Sequence, residues 1–438
     1  MQLVSFAIPL MVENIFQLLY NTADTIIVGR YIGDYALSAV GATSQVIYAF
    51  TLIFFGLSSG GTVIIAQLFG AKDFPLLEKN TANLFSLALT SGFLLMLFSL
   101  VFIDPILRAV KTPDDIFQYS EQYLRLYILG IPATAMFSVG SGTMRAVGNS
   151  RSPVYILVFS SLLNIILDLL FTLSFSWEIT GVALATVISQ YVSAGLLLFL
   201  FSKADSRYHF TLRMLTLERK ILLNILCVSA PQVIERTLTG FSNIFVQSYI
   251  NYFGSVLISS FMIYTKIESF AFMLISNISV AVLAFSGQNS GAKQYGRLKK
   301  GMYSGILLSL SATVICAAPI LTFRHNLVSL FTTNADICNS CEKILLWLVP
   351  CYCLICIYLP CGNFLKGIGS ILPVTSFMFG SFVIFKQVYL FFATRYIGNS
   401  PFIVLSSYPL GWLLCALLTY GYYLYKSRKT NFEKLSEM

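Results

Sequence analysis

Twelve separate stretches of this chain hold about 20 or more mostly apolar residues, the length an α-helix needs to cross a bilayer. They fall at roughly 3–28, 36–68, 80–104, 122–145, 153–176, 180–202, 222–252, 256–288, 300–322, 341–365, 371–394 and 401–425. The runs are too long for barrel strands and do not alternate, and in lipid only helices or closed barrels satisfy every backbone group. The expected fold is therefore an all-α integral membrane protein with twelve transmembrane helices. Composition agrees: 57% of the 438 residues are hydrophobic and 11% charged, against about 25% charged in soluble domains. The net charge of +9 then marks membrane-flanking loops and not nucleic-acid binding. The first run lacks a basic leader and is too long and polar for a signal h-region. That pattern suggests a start upstream of Met1.

The basic residues orient the spans. With both termini cytoplasmic, the cytoplasmic segments carry 18 Lys and Arg, Arg145 and Lys366 among them, and the opposite segments carry seven. Positive residues concentrate on the cytoplasmic side, which supports this orientation and an even number of spans. The remaining three, Arg236, Lys266 and Lys386, fall inside spans. Metal and disulfide chemistry are not expected. Most of the nine cysteines sit in apolar runs, and Cys338-x-x-Cys341 has no second pair or nearby histidine to complete about four ligands. No nucleophile–base pair suggests an enzyme.

The second half echoes the first. "AQLFGAKDF" (66–74) recurs as "GQNSGAKQY" (287–295), and "YIGD" (31–34) as "YFGS" (252–255), both 221 residues on. Pro9-x-x-x-Glu13 answers Pro231-x-x-x-Glu235, "RAVGNSRSP" (145–153) answers "KGIGSILP" (366–373), and Pro132 answers Pro350. Six spans per repeat is an even number, so both halves share one orientation, the parallel-repeat design of alternating-access carriers. The expected division is an N-terminal six-helix lobe at 1–203, a basic cytoplasmic linker at 204–220, a C-terminal six-helix lobe at 221–426 and a cytoplasmic tail at 427–438.

Charged residues in mid-membrane cost about 2.5–3.5 kcal/mol each on insertion scales and are functional candidates by default. On the first helix, Pro9, Glu13, Gln17, Tyr20 and Asp24 fall within roughly 80° of arc at 100° per residue, flanked by Asn14 and Asn21. This stripe is expected to face a ligand or ion. The fifth span places Asn164 and Asp168 at i, i+4, and the sixth offers Thr186 with Gln190 one turn on. Two carboxylates, an amide and a hydroxyl suit a bare cation or a proton, because a second carboxylate nearby makes an uncompensated pair costly. In the second half, Glu235, Arg236, Lys266, Glu268 and Lys386 are the intramembrane charges, read as internally paired or gating, for example Arg236 with a glutamate on another helix. The repeat places Lys386 close to the position of Asp168. The small-residue runs "GLSSGG" (56–61) and Gly29-x-x-x-Gly33 are expected to permit close helix approach.

These stretches together, "IPLM…NTADTIIVGRYIG" (8–33), "AQLFGAK" (66–72), "RAVGNSRSP" (145–153), "LLNIILDLLF" (162–171), "TGVALATVISQ" (180–190), "SNIFVQSYINYFG" (242–254) and "GQNSGAK" (287–293), resemble the multidrug and toxic compound extrusion (MATE) transporters over essentially the whole chain. The resemblance implies two six-helix lobes forming a V in a prokaryotic plasma membrane. It also implies export of small organic cations or drugs in exchange for Na⁺ or H⁺, with no other cofactor and a monomeric chain. It assigns the cation-coupling site to Asp24, Asn164, Asp168 and Thr186, neighbouring cavity positions to Gln17 and Tyr20, and a helix bend to Pro9. Some branches add acidic residues on helices 7, 8 and 10, but helix 10 here has no carboxylate, which argues against a cation site in the second lobe. A lipid-linked oligosaccharide flippase of the same superfamily is the alternative, disfavoured by the anionic first helix and kept open by the cationic second half. A major-facilitator carrier fits less well, because "GAKDFPLLEK" matches its basic signature loop poorly.

Overall fold

The computed structural model describes residues 2–110, 112–175, 177–203 and 209–430. Parts of the expected linker (204–208) and tail (431–438) lie outside the described residues. Every regular element among the described residues is helical. The membrane helices are α1 (Leu3–Ile32), α2 (Asp34–Ala71), α3 (Phe74–Val101), α4 (Asp114–Ile128 with Ile131–Ala146), α5 (Arg151–Ser174) and α6 (Glu178–Lys203). The second six are α7 (Arg219–Asn251), α8 (Ser255–Gly291), α9 (Tyr295–Thr322), α10 (Ala335–Gly367), α11 (Ile371–Ile397) and α12 (Pro401–Arg428). Eleven are single helices long and apolar enough to span a bilayer; α4 is a pair bent by 50° that reaches the same length. Several begin earlier than their apolar runs: α4 by eight residues, α3 and α10 by six. The extra turns are polar, and capping explains α3, where Asp73 accepts from the Leu76 N–H at 3.2 Å.

The α4 break follows from Gly130 and Pro132. Pro132 lacks the N–H that would bond the Ile128 carbonyl and sits in the first turn of the second segment, where a proline is tolerated. The Leu129 carbonyl at the break accepts from the Tyr191 hydroxyl at 3.0 Å. The repeat partner, Pro350, lies in a 3₁₀ turn at Val349–Cys351 inside α10. α1 instead runs as a helix through Pro9, losing only the bond to the Ser5 carbonyl.

The chain divides into two compact units, Ile8–Val233 and the rest. In the first, α2, α3, α4 and α6 enclose a core of Phe54, Ile65, Leu84, Phe85, Val139, Leu197 and Phe201. Glycines allow the backbones to close: a Cβ on Gly61 would lie 2.4 Å from Leu84, and one on Gly142 2.3 Å from the Ser58 hydroxyl. "GLSSGG" is thus a packing run, as expected. Gly33 is not. Its φ of 121° ends α1 and nothing lies within 4 Å of its Cβ position, whereas a Cβ on Gly29 would lie 3.2 Å from Leu37 on α2, so of the Gly29-x-x-x-Gly33 pair only Gly29 serves close helix approach and Gly33 makes a corner. In the second unit, α8 packs on α10, where a Cβ on Gly367 would meet the Ser286 hydroxyl at 2.0 Å.

The sequence repeat extends to backbone conformation. Gly33 and Gly254, Lys72 and Lys293, and Gly148 and Gly369 all have positive φ, at 121° and 85°, 59° and 56°, and 94° and 88°. Each pair is 221 residues apart. Left-handed backbone is unusual for lysine, so its recurrence at the same offset shows that the two halves turn the same corners.

Candidate functional site

α1 and α5 both end in a π-helical turn, Val28–Ile32 and Leu170–Ser174. Such wide turns leave the regular ladder and are frequent at functional sites. Asp24 lies four residues before the first and Asp168 two before the second, and the structure brings the carboxyls within hydrogen-bond reach of each other. Both are buried, Asp24 at 7% exposure and Asp168 at 0%. Two carboxylate oxygens offer only acceptors, so contact between them requires a proton or a metal cation shared by the pair.

α5 and α6 complete the cluster. The Asn164 amide, oriented so that both its ends are satisfied, donates to Asp168 Oδ2 at 3.1 Å and accepts from the Thr186 N–H at 3.3 Å. The opposite orientation, with Nδ2 3.4 Å from Thr186 Oγ1, leaves its oxygen facing an acceptor and is the poorer account. Thr186 Oγ1 donates to the Val182 carbonyl at 3.0 Å, which fixes its lone pairs toward the cluster. Tyr20 lies beside Thr186, and Tyr127 beside Gln190, whose Oε1 is buried without a hydrogen-bond partner. One oxygen of each carboxylate, Oδ1 in both, is buried without a hydrogen-bond partner. Among the described residues, neither carboxylate has an ion-pair partner within 4 Å. An all-oxygen set of carboxylate, amide and hydroxyl groups suits hard cations, and the same set can hold a proton between two carboxyls.

The structure therefore brings Asp24, Asn164, Asp168, Thr186 and Tyr20 together. It does not keep the rest of the α1 stripe with them. Gln17 and Asn21 are exposed. Glu13 lies eleven residues from Asp24, about 16 Å along a helix axis, and pairs instead with Arg145 on α4 (Oε2 to Nη1, 3.4 Å). One angular stripe meets different neighbours at different depths. Sequence reasoning missed Tyr123, 3% exposed and buried near both aspartates. Its i, i+4 partner Tyr127 on the amphipathic Asp114–Ile128 segment was the available signal.

The second unit corrects the expected pairing. Glu235 pairs with Lys366 at 3.8 Å, inside α10; Arg236 and Lys266 are exposed and have no ion pair within 4 Å among the described residues. Lys366, counted as a loop residue from sequence, is 4% exposed. Arg145 and Lys366 are repeat partners, as are Glu13 and Glu235, so the same α1–α4 bridge recurs between α7 and α10. Lys386 is also buried, with Nζ donating to Asn243 Oδ1 at 3.0 Å.

A duplicated bundle of membrane helices with a basic-free carboxylate pair inside one half is a carrier architecture. The chain matches the MatE family twice, over residues 9–170 and 231–391, and belongs to that family, whose members are transporters and not enzymes. The second match starts 222 and ends 221 residues after the first, the offset of the repeat. The chain is 26% identical over 438 residues to the probable multidrug resistance protein YoeA of Bacillus subtilis, covering 98% of this chain and 94% of that one. It is 27% identical to the probable multidrug resistance protein NorM of Thermotoga maritima, covering 77% and 73%. A solved MOP superfamily transporter from Pyrococcus furiosus, described as having a binding pocket of reverse polarity, matches with a TM-score of 0.89 at 22% identity, over 100% and 96% of the two chains.

Proposed function

We propose that this MATE transporter is a secondary antiporter that exports small organic cations, drugs among them, in exchange for Na⁺ or H⁺. The observation that carries the reading is the buried Asp24–Asp168 contact, with an orphaned oxygen on each carboxylate and no basic partner. A resident lysine or arginine would neutralise the pair permanently, whereas its absence leaves the compensating charge to come and go. The relatives named for multidrug resistance support the substrate class.

In the cycle, substrate binds while the pair is uncompensated, the six-helix lobes at 1–203 and 221–426 alternate about the 204–220 linker, and Na⁺ or H⁺ then occupies Asp24, Asn164, Asp168 and Thr186. Loading removes the repulsion between the carboxylates and lets α1 and α5 draw together, which drives substrate release. Exchange that moves one net charge gains about 2.3 kcal/mol per 100 mV, enough for roughly a fifty-fold gradient. One-for-one exchange of monovalent cations moves none and runs on the ion gradient alone. The chain works as a monomer in a prokaryotic plasma membrane with both termini cytoplasmic.

The test is efflux of a cationic dye from proteoliposomes with Na⁺ and H⁺ gradients imposed separately. One gradient is expected to drive efflux, and Asp24→Asn to abolish it. A response to neither gradient, or full-rate efflux by Asp24→Asn, would sink the reading. The flippase alternative needs free cationic groups around its ligand, and Lys366 and Lys386 are each tied to a neighbour within their own unit.

A further inference from the structure

The repeat duplicates the helices of the carboxylate cluster but not its charges. α7, α11 and α12 correspond to α1, α5 and α6. At the repeat offsets, Asp24 maps to Val246 and Asp168 to Val388, so both acids are replaced by valine. What stands in the second unit instead is the ammonium of Lys386. It is 4% exposed, 3.0 Å from Asn243 Oδ1 and 3.6 Å from the centroid of the Tyr408 ring. The Glu268 carboxylate supplies an opposite charge from further off, with no ion-pair contact to the ammonium within 4 Å. Tyr264, one turn before Glu268 on α8, accepts from the Tyr352 hydroxyl at 3.3 Å.

A carboxylate, an amide oxygen and an aromatic face are the groups that hold a monovalent cation or a primary ammonium. Each comes from a different helix: Glu268 from α8, Asn243 from α7, Tyr408 from α12. Lys386 itself arrives on α11, directly after the π-helical turn Gly380–Phe385. That turn is stitched to α7 beside Asn243: Ser242 Oγ donates to the Phe382 carbonyl at 2.7 Å, and Gln387 Nε2 donates to Ser242 Oγ at 2.8 Å. The lysine head is therefore held in place by its neighbours on both sides and is not a stray surface chain turned inward.

We propose that the second unit contains a cation site lined by Asn243 and Tyr408, with Glu268 as a more distant counter-charge, whose occupant is the chain's own Lys386 ammonium. The first unit exchanges a cation; the second carries one covalently, and does not exchange. The inference rests on the proposed role of Asp24 and Asp168 only for the count of one exchangeable cation per chain. The site itself stands on the second unit alone.

The test restores the missing head group from solution. Lys386→Ala removes four heavy atoms whose equivalent is propylammonium. Thermal stability of the purified full-length protein is measured against propylammonium, with tetramethylammonium, which has no N–H to donate, as control. Propylammonium is expected to raise the Tm of K386A saturably, tetramethylammonium not to, and the unmodified protein to respond to neither. In K386A/E268Q the response should weaken at least ten-fold in concentration. If K386A does not fold, the yield of folded protein is the readout, and propylammonium during purification or the added E268Q must recover it. Absence of any selective response, recovery by neither route, or an equal response from the unmodified protein would overturn the proposal. Cation counting separates this from the antiport reading. In D24N/D168N, retention of ²²Na⁺ and substrate-driven proton release should both vanish. If the unmodified chain shows neither signal, the antiport reading fails and the propylammonium result still stands or falls on its own.

Discussion

Glu13→Gln and Glu235→Gln make the same change at repeat-related positions, and the structure ranks their costs. Distance alone favours the first pair. At an effective dielectric of about 20, opposite charges 3.4 Å apart attract by about 5 kcal/mol and those 3.8 Å apart by about 4 kcal/mol. These are gross attractions, however, and the loss on truncation is dominated by the charge left behind. Removing one member of a buried pair costs about 3–5 kcal/mol, because the partner stays buried without compensation. Arg145 keeps 13% side-chain exposure and can reach some water; Lys366 keeps 6% and has Arg236 repelling it nearby. Burial therefore outweighs distance. Glu13→Gln should cost about 3 kcal/mol, the lower end of that range, and Glu235→Gln about 4–5 kcal/mol, the upper end. For units of 150–250 residues, 1 kcal/mol shifts Tm by about 2–4 °C, so differential scanning fluorimetry should read drops of roughly 6–12 °C for the first and more for the second. Removing both charges, as in Glu13→Gln/Arg145→Met, should recover most of the loss, since an apolar pair of similar volume avoids the desolvation cost. Equal or reversed ranking of the single variants, or a double variant as unstable as the sum, would refute the argument that stranded charge sets the cost.

Three further outcomes follow from the geometry. Asp168→Asn should abolish ion-driven dye efflux as Asp24→Asn does, while Thr186→Val, which removes one neutral oxygen, should weaken the apparent affinity for the coupling ion and leave the maximal rate nearer to normal; full coupling in Asp168→Asn would count against the pair. Gly142→Ala places a methyl 2.3 Å from the Ser58 hydroxyl and 3.1 Å from its carbonyl, so overpacking should lower stability by about 1–3 kcal/mol, read as a fall in Tm. Gly195→Ala, with open space at its Cβ, should be neutral or gain up to about 1 kcal/mol from helix propensity; equal loss at both would contradict the packing account. Gly33→Ala and Gly254→Ala should each cost about 1–2 kcal/mol because an L side chain is strained at positive φ, visible as lower Tm in both.

The spans were legible because lipid imposes one requirement on each run, a length of apolar surface, and local sequence states it directly. Asp24 and Asp168 were legible for a related reason, since each violates that requirement and so stands out, but their grouping with Asn164 and Thr186 came from the family resemblance and not from the residues alone. Partners were harder to read. Arg145 and Lys366 sit at helix ends, where a basic residue is ordinary, and only the tertiary structure shows that they turn inward to glutamates on α1 and α7. The α1 stripe failed as a single site because angular periodicity says which side a residue faces and nothing about depth. The π-helical turns beside Asp24, Asp168 and Lys386 left no mark in composition, since they insert no distinctive residue type.

The matched left-handed corners give the chain a built-in experimental control. A substitution at Gly33, Lys72 or Gly148 has a twin 221 residues downstream in the same conformation, so paired scans along that offset should behave alike wherever a residue only shapes the scaffold. Where the twins diverge, as they must at Asp24, whose counterpart at that offset is Phe245, the difference isolates what the chain does from how it stands up, within one molecule and under one set of conditions.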